Sequence, residues 1–175
     1  MLKTGTDLAR IRRDLAGFKC ARDSEIEVFL KESAIAFEKA HKSRTYLLIK
    51  RRSAGQKDLA ILAYFSVAIS RMRISKGVSR SKIRKLNGIG EKRDVPCYLV
   101  GQLGKNDYYS DEITGECLVR YAMSFLQNGH EQIGGRFVRV DCKDIKGLCR
   151  FYERNDFTSY QKETRSGLVQ FVRYF

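Results

Sequence analysis

Two stretches of this chain carry residue types whose spacing has chemical consequences. In residues 95–116, VPCYLVGQLGKNDYYSDEITGE, an apolar β-rich run ends in Gly-Gln-Leu-Gly-Lys, a polar loop follows, and a glycine opens an amphipathic helix. A strand that feeds a loop into a helix N-terminus offers free backbone N–H groups and the positive end of the helix dipole to an anion, phosphate above all. The same pattern also serves as an ordinary strand-loop-helix connection without a ligand. In residues 71–93, Arg71, Arg73, Lys76, Arg80, Lys82, Arg84, Lys85, Lys92 and Arg93 are opposed only by Glu91. Clustered cations gain affinity for a polyanion by releasing its condensed counterions. A solvated basic loop is the other use of such a run.

The elements that must position these stretches are legible from periodicity. Leu8, Ile11 and Leu15 recur at helical spacing over residues 7–16, Gly17 would stop that helix, and Phe18-Lys19-Cys20 could form a short strand. Ser24-Glu25-Ile26-Glu27 fits a capping box, and Ile26, Phe29, Leu30, Ser33, Ala34 and Phe37 predict a helix over 24–41. Residues 45–50 and 59–69 are β-rich and flank the turn-like Ser53-Ala54-Gly55-Gln56, so a hairpin is expected. Residues 95–104 are almost continuously apolar, which suits a central strand. A helix is expected over 113–128, stopped by Gly129. A strand with one charged side follows over 136–142, and Asp144 would cap a helix running to Arg154. Strands over 157–161 and 168–175 complete a mixed α/β domain around one sheet.

The bulk numbers set the partners and the compartment. At 175 residues, 43% of them hydrophobic, the chain is read as one domain, with residues 1–17 a basic extension. Its 34 Lys and Arg against 20 Asp and Glu leave a net charge of +14, which makes nucleic acid the first candidate partner. The five cysteines form no C-x-x-C, and His41 and His130 lie far apart, so metal-site spacing is absent. An odd cysteine count, with no secretory signal and no apolar run of membrane-spanning length, suggests reduced thiols in a soluble cytoplasmic protein.

The second half resembles the GNAT N-acetyltransferases. Its strand-loop-helix-strand-helix order matches the core of that family, and Phe151-Tyr152-Glu153-Arg154-Asn155-Asp156-Phe157 stands where the family has Phe/Leu-Tyr-Glu-x-x-Gly-Phe, with Asp156 replacing the usual glycine. Phe18-x-Cys20, Phe29-Leu30, Ser43-x-Thr45-Tyr46, and a basic segment leading into Val95-Pro96 and Gly101-Gln102-Leu103 extend the similarity over residues 18–160. These features resemble GNAT-type toxins that acetylate aminoacyl-tRNA. The resemblance implies a GNAT fold, with a mostly antiparallel sheet whose fourth and fifth strands splay apart and helices on its flanks. It also implies acetyl-CoA as co-substrate without a metal, and an amine acceptor. An antitoxin protein and a homodimer are partners it admits, with no membrane.

In such a fold the backbone near Leu103, Gly104 and Lys105 would hold the pantetheine and the thioester carbonyl, and Tyr152 would be the general acid. The family's pyrophosphate loop, Gln/Arg-x-x-Gly-x-Gly/Ala, aligns without gaps on Ser110, Asp111, Glu112, Ile113, Thr114 and Gly115, of which only Gly115 matches. A β-branched Ile113 cannot take positive φ without strain, so the backbone nest there must be reshaped or lost. Ser110, Thr114 and the N–H groups of Gly115 and Glu116 then remain for phosphate. Lys76, Arg80, Lys82, Arg84, Lys85, Lys92 and Arg93 would contact RNA phosphates. No histidine is near enough to name a general base. Asp141 and Asp144 are the nearest acids, and an α-amino acceptor with a pKa of about 7.7 to 8.0 can give its proton to water. A small amine or protein lysine as acceptor, and a GNAT-fold binding or regulatory module without cofactor, stay open at this point.

Overall fold

The computed structural model describes residues 5–50 and 59–175; the expected turn at Ser53-Ala54-Gly55-Gln56 lies outside them. In chain order the elements are α1 (Gly5–Ala16), α2 (Ser24–Val28), a π-helical turn (Phe29–Ser33), α3 (Ala34–Lys39), β1 (Arg44–Ile49), β2 (Ile61–Arg73) and α4 (Arg80–Asn87). They continue with β3 (Asp94–Lys105), a 3-10 turn (Asp107–Tyr109), α5 (Gly115–Ile133), β4 (Phe137–Cys142), α6 (Lys146–Arg154), β5 (Thr158–Lys162) and β6 (Val169–Tyr174). The strands form one mixed, mostly antiparallel sheet in the order β1-β2-β3-β4-β6-β5. Contacts divide the chain into two compact units. The first comprises Met1–Ser66 and Gln102–Leu118, the second Val67–Gly101 and Val119–Phe175.

In the first unit, Leu15, Phe18, Cys20, Leu30, Ala34, Ile61 and Tyr64 form the core. The Tyr64 ring meets Phe18 edge-on at 5.3 Å, and its hydroxyl donates to Ile26 O at 2.6 Å, so a buried phenol is satisfied where helix meets strand. Asp23 caps α2 by accepting from Glu25 N at 3.1 Å. Ser24 is therefore the first helical residue and not the cap. Glu27 instead accepts from Cys20 N, Lys19 and Lys31, which ties the helix to the chain before it. The single helix expected over 24–41 is interrupted by the π-turn, where Ala34 N reaches Phe29 O. Phe18-Lys19-Cys20 is not a strand. Lys19 uses its N–H on the Asn106 side chain and its carbonyl on Asp107 N, while Phe18 and Cys20 are core residues.

In the second unit, Met72, Ile74, Ile83, Leu86, Val95, Cys97, Phe137 and Val172 pack together. Ser79 caps α4 by accepting from Lys82 N, and Ile83 and Leu86 turn inward. The basic stretch is thus partly a helix with cations on its outer face, where the sequence suggested only a charged segment. Helix α5 runs through Gly129, correcting the expected stop. It ends where Gly134 and Gly135 take φ of 76° and 118°, and Tyr98 Oη donates to Gly134 O at 2.6 Å. Strand β4 is buried along both faces, so the expected charged side does not face solvent. Arg139, 8% exposed, sits 3.1 Å from Asp141 and donates to Arg71 O at 2.9 Å. Gln170 donates to Asp141, and Gln161 donates to Gln170, which extends the network to β5. Asp144 does not cap α6. Ile145 holds that position, and Asp144 pairs with Lys162 at 2.8 Å.

The parallel ladder between β3 and β4 has three pairs, Tyr98↔Val138, Leu99↔Arg139 and Val100↔Val140. Beyond Val100, β3 continues to Lys105 without a β4 partner. Because Phe18-Lys19-Cys20 is not a strand, β3 and β4 are the fourth and fifth strands of the expected order, and their pairing stops as expected of the splayed pair. On its other side β4 pairs antiparallel with β6 from Phe137↔Tyr174 to Cys142↔Val169.

Candidate functional site

The end of β3 and the loop after it lie in the first unit, and their local chemistry explains the unusual sequence there. Leu103 and Lys105 are half-buried, while Gly104 is buried. A Cβ on Gly104 would lie 2.3 Å from Ile26 Cγ2 and 3.2 Å from Tyr64 Cε1, so packing requires this glycine. Only its backbone is then left for a ligand. The Lys105 ammonium donates to Ser110 O and Ile113 O, both at 2.7 Å, and so clamps the loop by its carbonyls. Ile113 is 8% exposed and has no positive φ; it plugs the loop into the core in place of the glycine nest.

The loop acids have local partners. Lys50 Nζ pairs with Glu112, and Ser110 Oγ donates to Asp111 at 3.3 Å. Thr114 caps α5 by accepting from Cys117 N at 3.1 Å, and Leu118 N bonds Thr114 O. Among the described residues, the N–H groups of Gly115 and Glu116 have no partner within the protein, which leaves two donors at the positive end of a 19-residue helix. Asn106, which no sequence signal singled out, anchors the turn: its side chain donates to Ile61 O and accepts from Tyr108 N.

Tyr152 lies in the second unit, on α6, 7% exposed. Phe151, Phe157 and Phe171 surround its ring at centroid distances of 5.2, 5.8 and 5.8 Å. Burial raises its phenol well above the ordinary value, with the neighbouring Cys142 adding to the shift. Burial also pushes the Cys142 thiol up to about 12, with Cys149 contributing. The non-glycine in the motif has a structural explanation: Asp156 takes φ of 65°, a conformation Asp tolerates better than most residues, and its carboxylate lies 3.4 Å from Arg173 Nη2. Asp141 is raised by burial against the opposing pull of Arg139 and Gln170, and is engaged by both.

The basic residues divide by partner. Arg84 and Arg80 share Glu91 at 2.7 and 3.8 Å, Arg71 pairs with Asp94 at 3.0 Å, and Arg93 donates to Ser75 O at 2.6 Å. Lys85 Nζ stands 5.5 Å above the Tyr174 ring. Among the described residues, Lys76, Lys82 and Lys92 are exposed and have no acidic partner. No group of three or more His, Cys, Asp or Glu side chains there could hold a metal ion. No described helix is long and apolar enough to cross a membrane, and the five cysteines are unpaired.

The sheet order, the diverging β3–β4 pair and the α6 motif define the GNAT fold. The chain is similar in structure to a tyrosine-to-phenylalanine mutant of KacT, with 20% identity, TM-score 0.70, and 90% of this chain and 86% of that one covered. It is also similar to AtaT complexed with acetyl-methionyl-tRNAfMet, with 18% identity, TM-score 0.69, and 92% and 86% covered. For AtaTR bound with AcCoA the values are 18% identity, TM-score 0.67, and 90% and 86% covered. AtaT has also been solved with the C-terminus of the antitoxin AtaR. No protein-family model and no curated protein matches the sequence.

Proposed function

We propose that the protein is an N-acetyltransferase that moves the acetyl group of acetyl-CoA to an amine carried on a polyanion, with the amino group of aminoacyl-tRNA as acceptor. The observation that carries this reading is Tyr152, a phenol buried among Phe151, Phe157 and Phe171 on the α6 helix of a GNAT fold. The likeness to AtaT and KacT supports the choice of donor and acceptor, and an antitoxin protein is the partner expected on the same ground. All 175 residues are read as one catalytic domain.

Acetyl-CoA, when bound, supplies an activated thioester. The chain's donors suit it: the N–H groups of Gly115 and Glu116, flanked by Ser110 and Thr114, for pyrophosphate, and the β3 backbone at Leu103 to Lys105 for pantetheine and the thioester carbonyl. Tyr152 holds the proton that the departing sulfur takes. Asp141, engaged by Arg139 and Gln170, is not free to act as base. An α-amino group, partly neutral near pH 7, needs only water to accept its proton. Lys76, Lys82, Lys85 and Lys92, with Arg80, Arg84 and Arg93, position RNA through its phosphates.

The test is transfer of labelled acetyl from acetyl-CoA to charged tRNA. Label on the aminoacyl group is expected, with turnover falling about 10²- to 10⁴-fold in Tyr152→Phe. Transfer to free amines or protein lysines, unaffected when Arg80, Lys82, Arg84 and Lys85 are all replaced by Ala, would replace the RNA acceptor with a small or protein one.

A further inference from the structure

The turn after α4 carries the most exposed large apolar side chain of the described residues. Ile89 is 95% exposed, at the tip of Gly88-Ile89-Gly90. Both glycines have positive φ, 76° and 88°, so the backbone reverses sharply around the isoleucine. The tip is also pinned. Gly88 N donates to Arg84 O at 2.8 Å, and Asn87 Nδ2 donates to Ile83 O at 3.1 Å and Lys92 O at 2.7 Å. The Arg136 guanidinium donates to Leu86 O and Lys85 O at the helix C-terminus and fills the space where a Cβ on Gly88 would lie. Nothing in this turn needs a bulky aliphatic side chain for its own packing.

The surroundings are cationic. Lys82, Lys85 and Lys92 stand exposed on either side of the tip in sequence, and the local acid, Glu91, is already neutralised by Arg84 and Arg80. A polyanion is the complementary partner, and among polyanions only a nucleic acid also offers flat apolar faces, on bases that are not stacked on both sides. Short aliphatic wedges pack against base faces in this way in other nucleic-acid complexes. We propose that Ile89 packs on an exposed base where an RNA stem gives way to its single-stranded end, while the flanking lysines hold the phosphates. This rests on the RNA-acceptor reading and adds a recognition element to it.

Fluorescence anisotropy with two RNA hairpins, one blunt and one with a 3′ single-stranded extension, measured over a series of salt concentrations, tests it. Ile89→Ala is expected to weaken binding of the extended hairpin by about fivefold to tenfold and to leave the blunt one unchanged. The salt slope should stay as in the parent protein. Lys82→Ala and Lys92→Ala should each lower that slope by about 0.7 to 0.9. Equal affinities of Ile89→Ala and the parent protein for the extended RNA would overturn the wedge, as would an equal loss on both RNAs; the first result is also the one expected if the tip serves an acidic protein partner. Failure of the parent protein to bind either RNA would instead overturn the acceptor reading.

Discussion

The loop after β3 and the segment around α4 are both polar and both face the question of an anion, yet they use their charges in opposite ways. In the loop the charged side chains are engaged inside the protein: Lys105 on two carbonyls, Lys50 on Glu112. What remains for a ligand is backbone N–H at a helix end. Around α4 the backbone is satisfied by the helix, its caps and Asn87, and three lysines are left over. The first arrangement fixes donors in place, which suits a small phosphate group of defined shape. The second is a field of exposed cations, which suits a long polyanion read through its phosphates.

Substitutions can separate the two regions. The largest effect belongs to neither of them: Tyr152→Phe should cost turnover about 10²- to 10⁴-fold while leaving both acetyl-CoA affinity and the RNA salt slope unchanged. Next, replacing Arg80, Lys82, Arg84 and Lys85 together should lower the salt slope by about two to three, since Arg84 and Arg80 are partly neutralised by Glu91. Acetyl-CoA affinity, followed by calorimetry, should not change; a loss there would break the comparison. Gly104→Ala forces a Cβ into Ile26 and should destabilise by about 1 to 3 kcal/mol in chemical denaturation. Lys105→Met releases the loop carbonyls and should raise the Kd for acetyl-CoA by about tenfold, roughly two modest hydrogen bonds' worth of positioning, with RNA affinity intact.

The smallest effect is a pH dependence of stability at Glu27, which holds Lys19 and Cys20 beside the loop after β3. Hydrogen bonds from Lys31, from Cys20 N and from Lys19 hold the Glu27 carboxyl down at about 2, against an ordinary 4.5. A depressed carboxyl stabilises the fold above the unfolded value and loses that contribution as pH falls from about 4.5 toward 2. Thermal melting of the parent protein should therefore drop across that window, and more shallowly in Glu27→Gln.

The strands from β1 to β6 were legible because continuous apolar and β-rich runs reflect burial directly, and β3 reads as central and lies third of six. Nothing in those runs carries the sheet order, in which β6 lies between β4 and β5. Helix α4 escaped notice because its charges dominate the stretch, although Ser79 as cap and the Ile83, Leu86 spacing were there to be read. Gly129 misled because a glycine inside a helix and one ending it look alike; only Tyr98, bonded to Gly134 O and packed against Gly135, decides between them. The Ser24 cap failed because Asp23, one residue earlier, takes the role, whereas Asp144 is held by Lys162 and the N-cap position falls on Ile145, which makes no side-chain cap bond. At the candidate site, the motif around Tyr152 was readable as a word. The Lys105 clamp was not, since a long side chain reaching five and eight residues ahead leaves no periodic trace.

The most direct measurement is a calorimetric titration of the protein with acetyl-CoA. Saturable binding with a Kd in the micromolar range is expected, weakened in Lys105→Met and unchanged in Tyr152→Phe. Absence of binding at millimolar acetyl-CoA would contradict the acetyltransferase reading and leave a GNAT fold without its donor.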